Sequence, residues 1–273
     1  MIYHDGQWTD DDKEVRNATS LARTRGVGVF NTLRTHDQKV LFLEEQIGKL
    51  VDMANELGAS VDAKHLEDLV HEVIERNPSE RDVSVRIIIS PGAGQFLGQP
   101  EDDRPIISVM THDIEPLDNF TATLKTVPFF RQFAELKHTN YFAAFITKRR
   151  AEAEGFYDIV YTDGADDPKL LEASTNNLLF VKGQKIIAPD SDIYPGLSRR
   201  LVLENAASVG FEVEKRDFRM SELPQIDGVY MTGVTYGPRP VVKIDQISIN
   251  TLNNGTHEKL HKLYSDIIER SVR

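Results

Sequence analysis

The chain is 273 residues long, carries 43 acidic against 32 basic side chains for a formal net charge of −11, and contains no cysteine. That balance argues against a partner gripped by its phosphate backbone, and the missing thiols exclude disulfides, thiolate catalysis and Cys-ligated zinc. With 40% hydrophobic and 27% charged residues it reads as an ordinary globular chain, long enough for two modest domains.

The opening residues, MIYHDGQWTDDDKEVRN, lack the basic start and apolar core of a signal peptide, and no apolar run approaches the ~20 residues of a membrane helix. A cytoplasmic protein with no membrane and no nucleic-acid partner is expected. The chain begins as a β-hairpin, IYH and QWT around an Asp5-Gly6 turn. Gly26 to Thr35 (GVGVFNTLRT) has the β-rich look of a core strand. Leu43, Ile47, Leu50, Ala54 and Leu57 recur at helical spacing up to Gly58, and Leu66, Leu69, Val70, Val73 and Ile74 mark a second helix stopped by Asn77-Pro78. Two apolar strands, VSVRIIIS and PIISVM, flank the loop PGAGQFLGQPEDD. The polar segment 111–119, with Pro116, sets the domain boundary: an N-terminal α/β domain over 1–112, a linker over 113–119 and a C-terminal domain over 120–273.

The second half opens with the strand ATLKTVPFF and a helix starting near Asn140. Strands follow at YDIVYT, LLEAS, NLLFV and KIIAP. A helix runs from PGLSRR through LVLENAASVG, then come strands GVYMTGV and RPVVKID. An amphipathic helix with Leu260, Leu263, Ile267 and Ile268 closes the chain. Helices and strands mix without strict alternation, so the fold class is α+β rather than a doubly wound sheet.

Candidate chemistry is sparse when each motif stands alone. GVGVFN lacks the third glycine and the following helix of a dinucleotide loop. PGAG at 91–94 reads either as a plain connection or as a loop over an active site. His257 and His261 have helical ligand spacing, but without a third ligand a solvated face is the simpler reading, and no metal is expected. PGLSRR is either a simple helix start or a phosphate cradle built from free N–H groups and the helix dipole. TGVT at 232–235 is equally open. Lys137 and Glu172, taken singly, read as a solvated lysine and a surface carboxylate.

Order and spacing change that. From GVGVFNTLR through LKHTNY, LLEASTNNLL and YPGLSRR to YMTGV and VVKID, the sequence resembles the class IV aminotransferases, the fold type IV pyridoxal-phosphate enzymes. The resemblance implies a two-domain fold with a smaller N-terminal α/β domain and a larger C-terminal domain holding a β-barrel-like sheet. It implies pyridoxal 5′-phosphate as cofactor and a homodimer acting on an amino donor and a 2-oxo acid. By the same resemblance Lys137 is the Schiff-base lysine, with Tyr141 behind it. Glu172 pairs with the pyridine nitrogen, Asn177 closes the Glu-x-Ser motif, and Leu197 and Ser198 bind the phosphate at a helix start. Val234 and Thr235 form the second phosphate turn. Lys49 stands where the family has its phosphate-binding arginine, and keeps the charge without the planar fork.

Phe30, Arg34, Arg131 and Arg239 are the substrate candidates; each arginine reads equally as a carboxylate partner or a structural ion pair. The resemblance also implies that the 92–98 loop reaches toward a neighbouring subunit. The expected activity is amino transfer between an amino acid or primary amine and a 2-oxo acid. The alternatives are a lyase of the aminodeoxychorismate type, which the KHTN spacing favours, and a non-catalytic cofactor-binding paralogue.

Overall fold

The computed structural model describes residues 1–9, 21–92, 104–115, 120–253 and 255–272. The chain divides into two compact units, and the division does not follow chain order: Met1–Glu115, Leu136–Tyr141 and Ser271–Arg273 form one, Pro116–Glu135 and Phe142–Arg270 the other.

The N-terminal unit contains β1 (Ile2–His4), β2 (Gln7–Thr9), α1 (Leu21–Arg25), β3 (Val29–His36), β4 (Lys39–Val40), α2 (Leu43–Glu56), α3 (Ala63–Arg76), β5 (Val83–Ser90) and β6 (Ile106–Asp113). Its six strands form an antiparallel sheet in the order β2-β1-β6-β5-β3-β4. The expected hairpin is present: Asp5 and Gly6 both take positive φ, the turn whose twist suits two short strands. Alternation decides the faces. Val29, Leu33, Val85, Ile87, Ile89 and Val109 are buried, and α2 and α3 supply Ile47, Leu50, Leu66, Val70 and Val73 to the same core. Asp62 caps α3 by accepting from the His65 N–H at 2.7 Å, and Glu44 and Glu45 sit at the positive end of α2. β6 runs on to Asp113, so the first residue of the expected linker belongs to this sheet; residues 116–119 lie outside the described residues.

The C-terminal unit contains β7 (Ala122–Pro128), α4 (Phe142–Ala153), β8 (Asp158–Thr162), β9 (Leu170–Ala173), β10 (Asn177–Lys182), β11 (Lys185–Ala188), α5 (Leu197–Asn205), β12 (Glu212–Lys215), β13 (Gly228–Gly233), β14 (Gly237–Ile244), β15 (Ile247–Ser248) and α6 (Thr256–Ser271). Six strands close on themselves: β10 pairs β13, then β14, β7, β8 and β9 follow, and β9 returns to β10 through Glu172 and Asn177. This is the β-barrel expected from the family resemblance. β11 and β12 extend it from β10, and β15 pairs β14. Leu124, Val160, Leu170, Phe180, Met231 and Val241, one from each strand of the ring, join a single buried cluster, with Phe180 and Phe218 stacked at 3.8 Å.

Three local expectations shift. α4 begins at Phe142, because Asn140 and Tyr141 belong to the segment held by the other unit. The helix after PGLSRR ends at Asn205 and tightens into a 3-10 turn over Ala206–Val209, closed by Gly210 in the left-handed region. β12, EVEK, was not expected: its residues are mostly exposed and polar, so no apolar alternation announces it.

Candidate active site

Lys137 lies in the short segment Leu136–Tyr141, which docks on the N-terminal end of β3. The Phe30 N–H donates to the Lys137 carbonyl at 2.8 Å, the Thr139 N–H donates to the Gly28 carbonyl at 2.8 Å, and the Thr139 hydroxyl donates to the Gly26 carbonyl at 2.9 Å. Glycine at 28 allows this approach: a Cβ there would stand 3.0 Å from the Ile89 carbonyl and 3.2 Å from Thr139 Oγ1. The GVGVF pattern thus has a packing reason. The Lys137 amine stands 5.2 Å from the centre of the Phe30 ring, whose edge also meets Tyr141 at 5.6 Å. Arg86, on β5, stands 5.6 Å from the centre of the same ring. Arg86 is exposed, and among the described residues its guanidinium makes no protein hydrogen bond or ion pair.

In the barrel, strand register lines up a second group. Glu172 on β9 pairs with Asn177 on β10, which pairs with Thr232 on β13. Glu172 is buried, and its carboxylate is held on both oxygens. Oε2 accepts from Asn177 Nδ2 at 3.1 Å and from the Tyr194 N–H at 3.0 Å, while Oε1 meets the Arg131 guanidinium at 2.8 Å. An ionised carboxylate out of water needs such donors, and here each has its own partner geometry. Asn177 also donates to the Tyr194 carbonyl at 2.7 Å. The turn after Glu172 is tied down in turn: the Ser174 hydroxyl donates to buried Asp158 at 2.9 Å, and burial pushes the Asp158 carboxyl above its ordinary range.

The two asparagines of LLEASTNN each buttress a glycine. A Cβ on Gly196 would fall 2.3 Å from Asn177 Oδ1, and one on Gly233 would fall 2.4 Å from Asn176 Nδ2. Both glycines open turns. Gly196 precedes α5 without a side-chain cap, so the first N–H groups of that helix point outward beside buried Ser198. Gly233 starts the tight connection between β13 and β14, closed by Tyr236 N–H to the Gly233 carbonyl at 3.3 Å, and it contains Val234 and Thr235. The Thr232 hydroxyl beside it is buried with no hydrogen-bond partner among the described residues. Arg199, in the first turn of α5, is a buried cation whose pKa burial lowers, against the attraction of Asp190 and Glu172.

Residues 28–244 match the family described as Amino-transferase class IV. The chain belongs to the class IV aminotransferases. It is 22% identical over 284 residues to the aminodeoxychorismate lyase of Bacillus subtilis, covering 100% of this chain and 96% of that protein. Its fold is that of the branched-chain aminotransferase of Thermoproteus uzoniensis solved with norvaline, at a TM-score of 0.87 and 18% identity over 99% of this chain and 95% of that one. A hypothetical aminotransferase from Mycobacterium tuberculosis, in an α-ketoglutarate- and PMP-bound form, matches at a TM-score of 0.86 and 19% identity, with 98% of each chain covered.

Among residues named from this aminotransferase resemblance, Glu172, Asn177, Leu197, Ser198, Val234 and Thr235 all lie on the turns and strand ends just described, and Lys137, Tyr141 and Phe30 meet in the N-terminal unit. Lys49 sits on α2, ion-paired to Glu45 at 2.9 Å. Arg34 is committed to Asp82 at 3.3 Å, and Arg131 to Glu172, so both arginines have structural partners. Arg239 stacks on Tyr236 at 3.7 Å and on Phe120 at 4.8 Å, and burial lowers its pKa. Residues 93–98 of the loop expected near a neighbouring subunit lie outside the described residues. His257 stacks on Tyr230, and no metal-binding cluster occurs among the described residues. No helix among them is long and apolar enough to cross a membrane. Sequence reasoning missed Arg86, Asn176, Arg199, Thr232 and Tyr264. Only Tyr264 carried a usable signal, a phenol on the apolar stripe of the last helix.

Proposed function

We propose that the chain transfers amino groups between an amino acid and a 2-oxo acid with Lys137 as the covalent anchor of pyridoxal 5′-phosphate. The observation that carries this reading is the buried Glu172 carboxylate, held by Arg131, Asn177 and the Tyr194 N–H. A carboxylate fixed on both oxygens is a suitable partner for a pyridine nitrogen that must stay protonated. The two glycine turns, at Gly196 and Gly233, fit a phosphate, with Leu197, Ser198, Val234 and Thr235 as its contacts.

When bound, the cofactor supplies an aldehyde for imine exchange and a ring that withdraws electrons from the substrate Cα. The chain's residues do the rest. The Lys137 amine would hold the cofactor's aldehyde and, when free, would accept and return the substrate Cα proton. Glu172 would hold the ring nitrogen protonated, and Arg131 and Asn177 keep Glu172 still. Asn177 and Asn176 hold the phosphate turns in register. Tyr141, packed on Phe30, would be a cofactor contact. Arg86, standing over Phe30 with its charge uncompensated, is a better substrate-carboxylate partner than Arg34.

A homodimer in the cytoplasm completes the reading. Phe142 and Phe145 on α4 are 74% and 59% exposed, more apolar surface than a lone helix face usually shows to water. Light scattering during gel filtration tests this, with a mass near two chains expected. A second reading, a lyase of the aminodeoxychorismate type, is favoured by the end-to-end similarity to the Bacillus subtilis enzyme.

The experiment is the visible spectrum of the purified protein with added cofactor, followed through a panel of amino donors and keto acids. A yellow band bleached by a donor and restored by a keto acid supports amino transfer. Release of pyruvate without the restoring half-reaction supports the lyase, and no band at all sinks both.

A further inference from the structure

Tyr264 lies on the buried stripe of α6 with Leu260, Leu263, Ile267 and Ile268. A phenol in an apolar layer must satisfy its hydroxyl, and here it does so at two places. Its Oη is 3.0 Å from Ser198 Oγ, in the first turn of α5, and 3.4 Å from the Val234 carbonyl, in the turn between β13 and β14. Its ring fills the space beside Gly237, where a Cβ would come within 2.4 Å of Cδ1. One side chain from the last helix therefore touches both glycine turns.

We infer that Tyr264 is a positioning residue for the phosphate site, setting the direction of the Ser198 hydroxyl and tying the two turns together. The inference rests on the reading that these turns hold a phosphate. It follows from counting hydrogens. In one arrangement Tyr264 donates to the Val234 carbonyl and Ser198 donates to Tyr264, which leaves Ser198 no hydrogen for a ligand. In the other, Tyr264 donates to Ser198 Oγ, and Ser198 donates outward. A phosphate dianion only accepts, so it selects the second arrangement. The switch gives up only the 3.4 Å contact, the longer and weaker of the two. Donation from the phenol also polarises the serine hydroxyl as a donor.

Tyr264→Phe keeps the ring against Gly237 and removes only the hydroxyl. Its affinity for pyridoxal phosphate should fall roughly tenfold, the effect of one hydrogen bond to a charged group. Protection by inorganic phosphate in thermal unfolding should fall in step. Affinity for pyridoxal, which lacks the phosphate, should not change. Adding Tyr264→Phe to Ser198→Ala should cost nothing further, because the two hydroxyls act as one chain. Wild-type affinity for phosphate in Tyr264→Phe, or an equal loss for pyridoxal, would overturn the inference. If the wild type takes up no cofactor, the functional reading fails by itself. Phosphate protection present in the wild type and lost in Tyr264→Phe would then still uphold the role of Tyr264; none in either would end it.

Discussion

In the N-terminal unit Lys137 is placed through its backbone, by two main-chain hydrogen bonds and a glycine that lets the segment approach, while its amine stands over the face of Phe30. In the barrel Glu172 is placed through its side chain, with both oxygens engaged by three donors. The difference matches the chemistry proposed for each. A lysine that forms and releases a covalent bond in every turnover needs a fixed backbone and a mobile tip. A carboxylate that only holds charge opposite a ring nitrogen needs the reverse, since preorganised charge stabilises best when nothing has to reorient.

The largest effect should come from cutting the mobile tip. Lys137→Ala should lower turnover by at least ~1000-fold, the upper part of the range for a lost acid–base group. Its circular dichroism and thermal unfolding should match the wild type, because the segment is held by backbone. Glu172→Gln is predicted to differ in kind. It should lower kcat by roughly 100-fold, as for one lost electrostatic contact at a reacting centre. It should also cost about 3 kcal/mol in urea unfolding, because half-buried Arg131 is left charged without its carboxylate partner. Adding Arg131→Met should recover stability but not turnover. A stability loss in Lys137→Ala equal to that in Glu172→Gln would erase the contrast.

The glycines sharpen it further. Overpacking typically costs ~1–3 kcal/mol. Gly196→Ala, with its Cβ 2.3 Å from Asn177 Oδ1, should fall at the upper end and loosen Glu172. Gly28→Ala, with contacts at 3.0 and 3.2 Å, should fall at the lower end and speed hydrogen exchange at the Phe30 and Thr139 amides. The smallest effect is a pH slope. Arg216 donates to Glu222 at 2.9 and 2.7 Å and holds its carboxyl below the ordinary range. In acid the folded chain then binds fewer protons than the unfolded one, so the stability this pair contributes is present above about pH 4.3 and lost as pH falls through the folded value. Glu222→Gln should flatten that slope in acid-unfolding curves.

Much of the architecture was legible because it repeats locally. The period-two faces of β3 and β5, the helical stripes of α2 and α3, the Asp5-Gly6 turn and the Gly196 helix start all carry their signals within a few residues. What was hidden depends on residues far apart in the chain. Nothing local marks Leu136–Tyr141 as part of the N-terminal unit, since its anchors are the carbonyls of Gly26 and Gly28 and the N–H of Phe30. The closure of the barrel rests on the single pairing of Glu172 with Asn177. The partner of Arg131 is 41 positions away in the chain, so spacing alone left it between substrate and structure. The asparagine pair was read for one member only, because the second acts on a glycine turn reached through strand pairing.

Reduction of the cofactor-loaded protein with borohydride, followed by peptide mass spectrometry, tests the central assignment most directly. The account predicts a phosphopyridoxyl group on the peptide containing Lys137, attached at that lysine. The same group on any other lysine, or none on a protein that shows the yellow band, would contradict it.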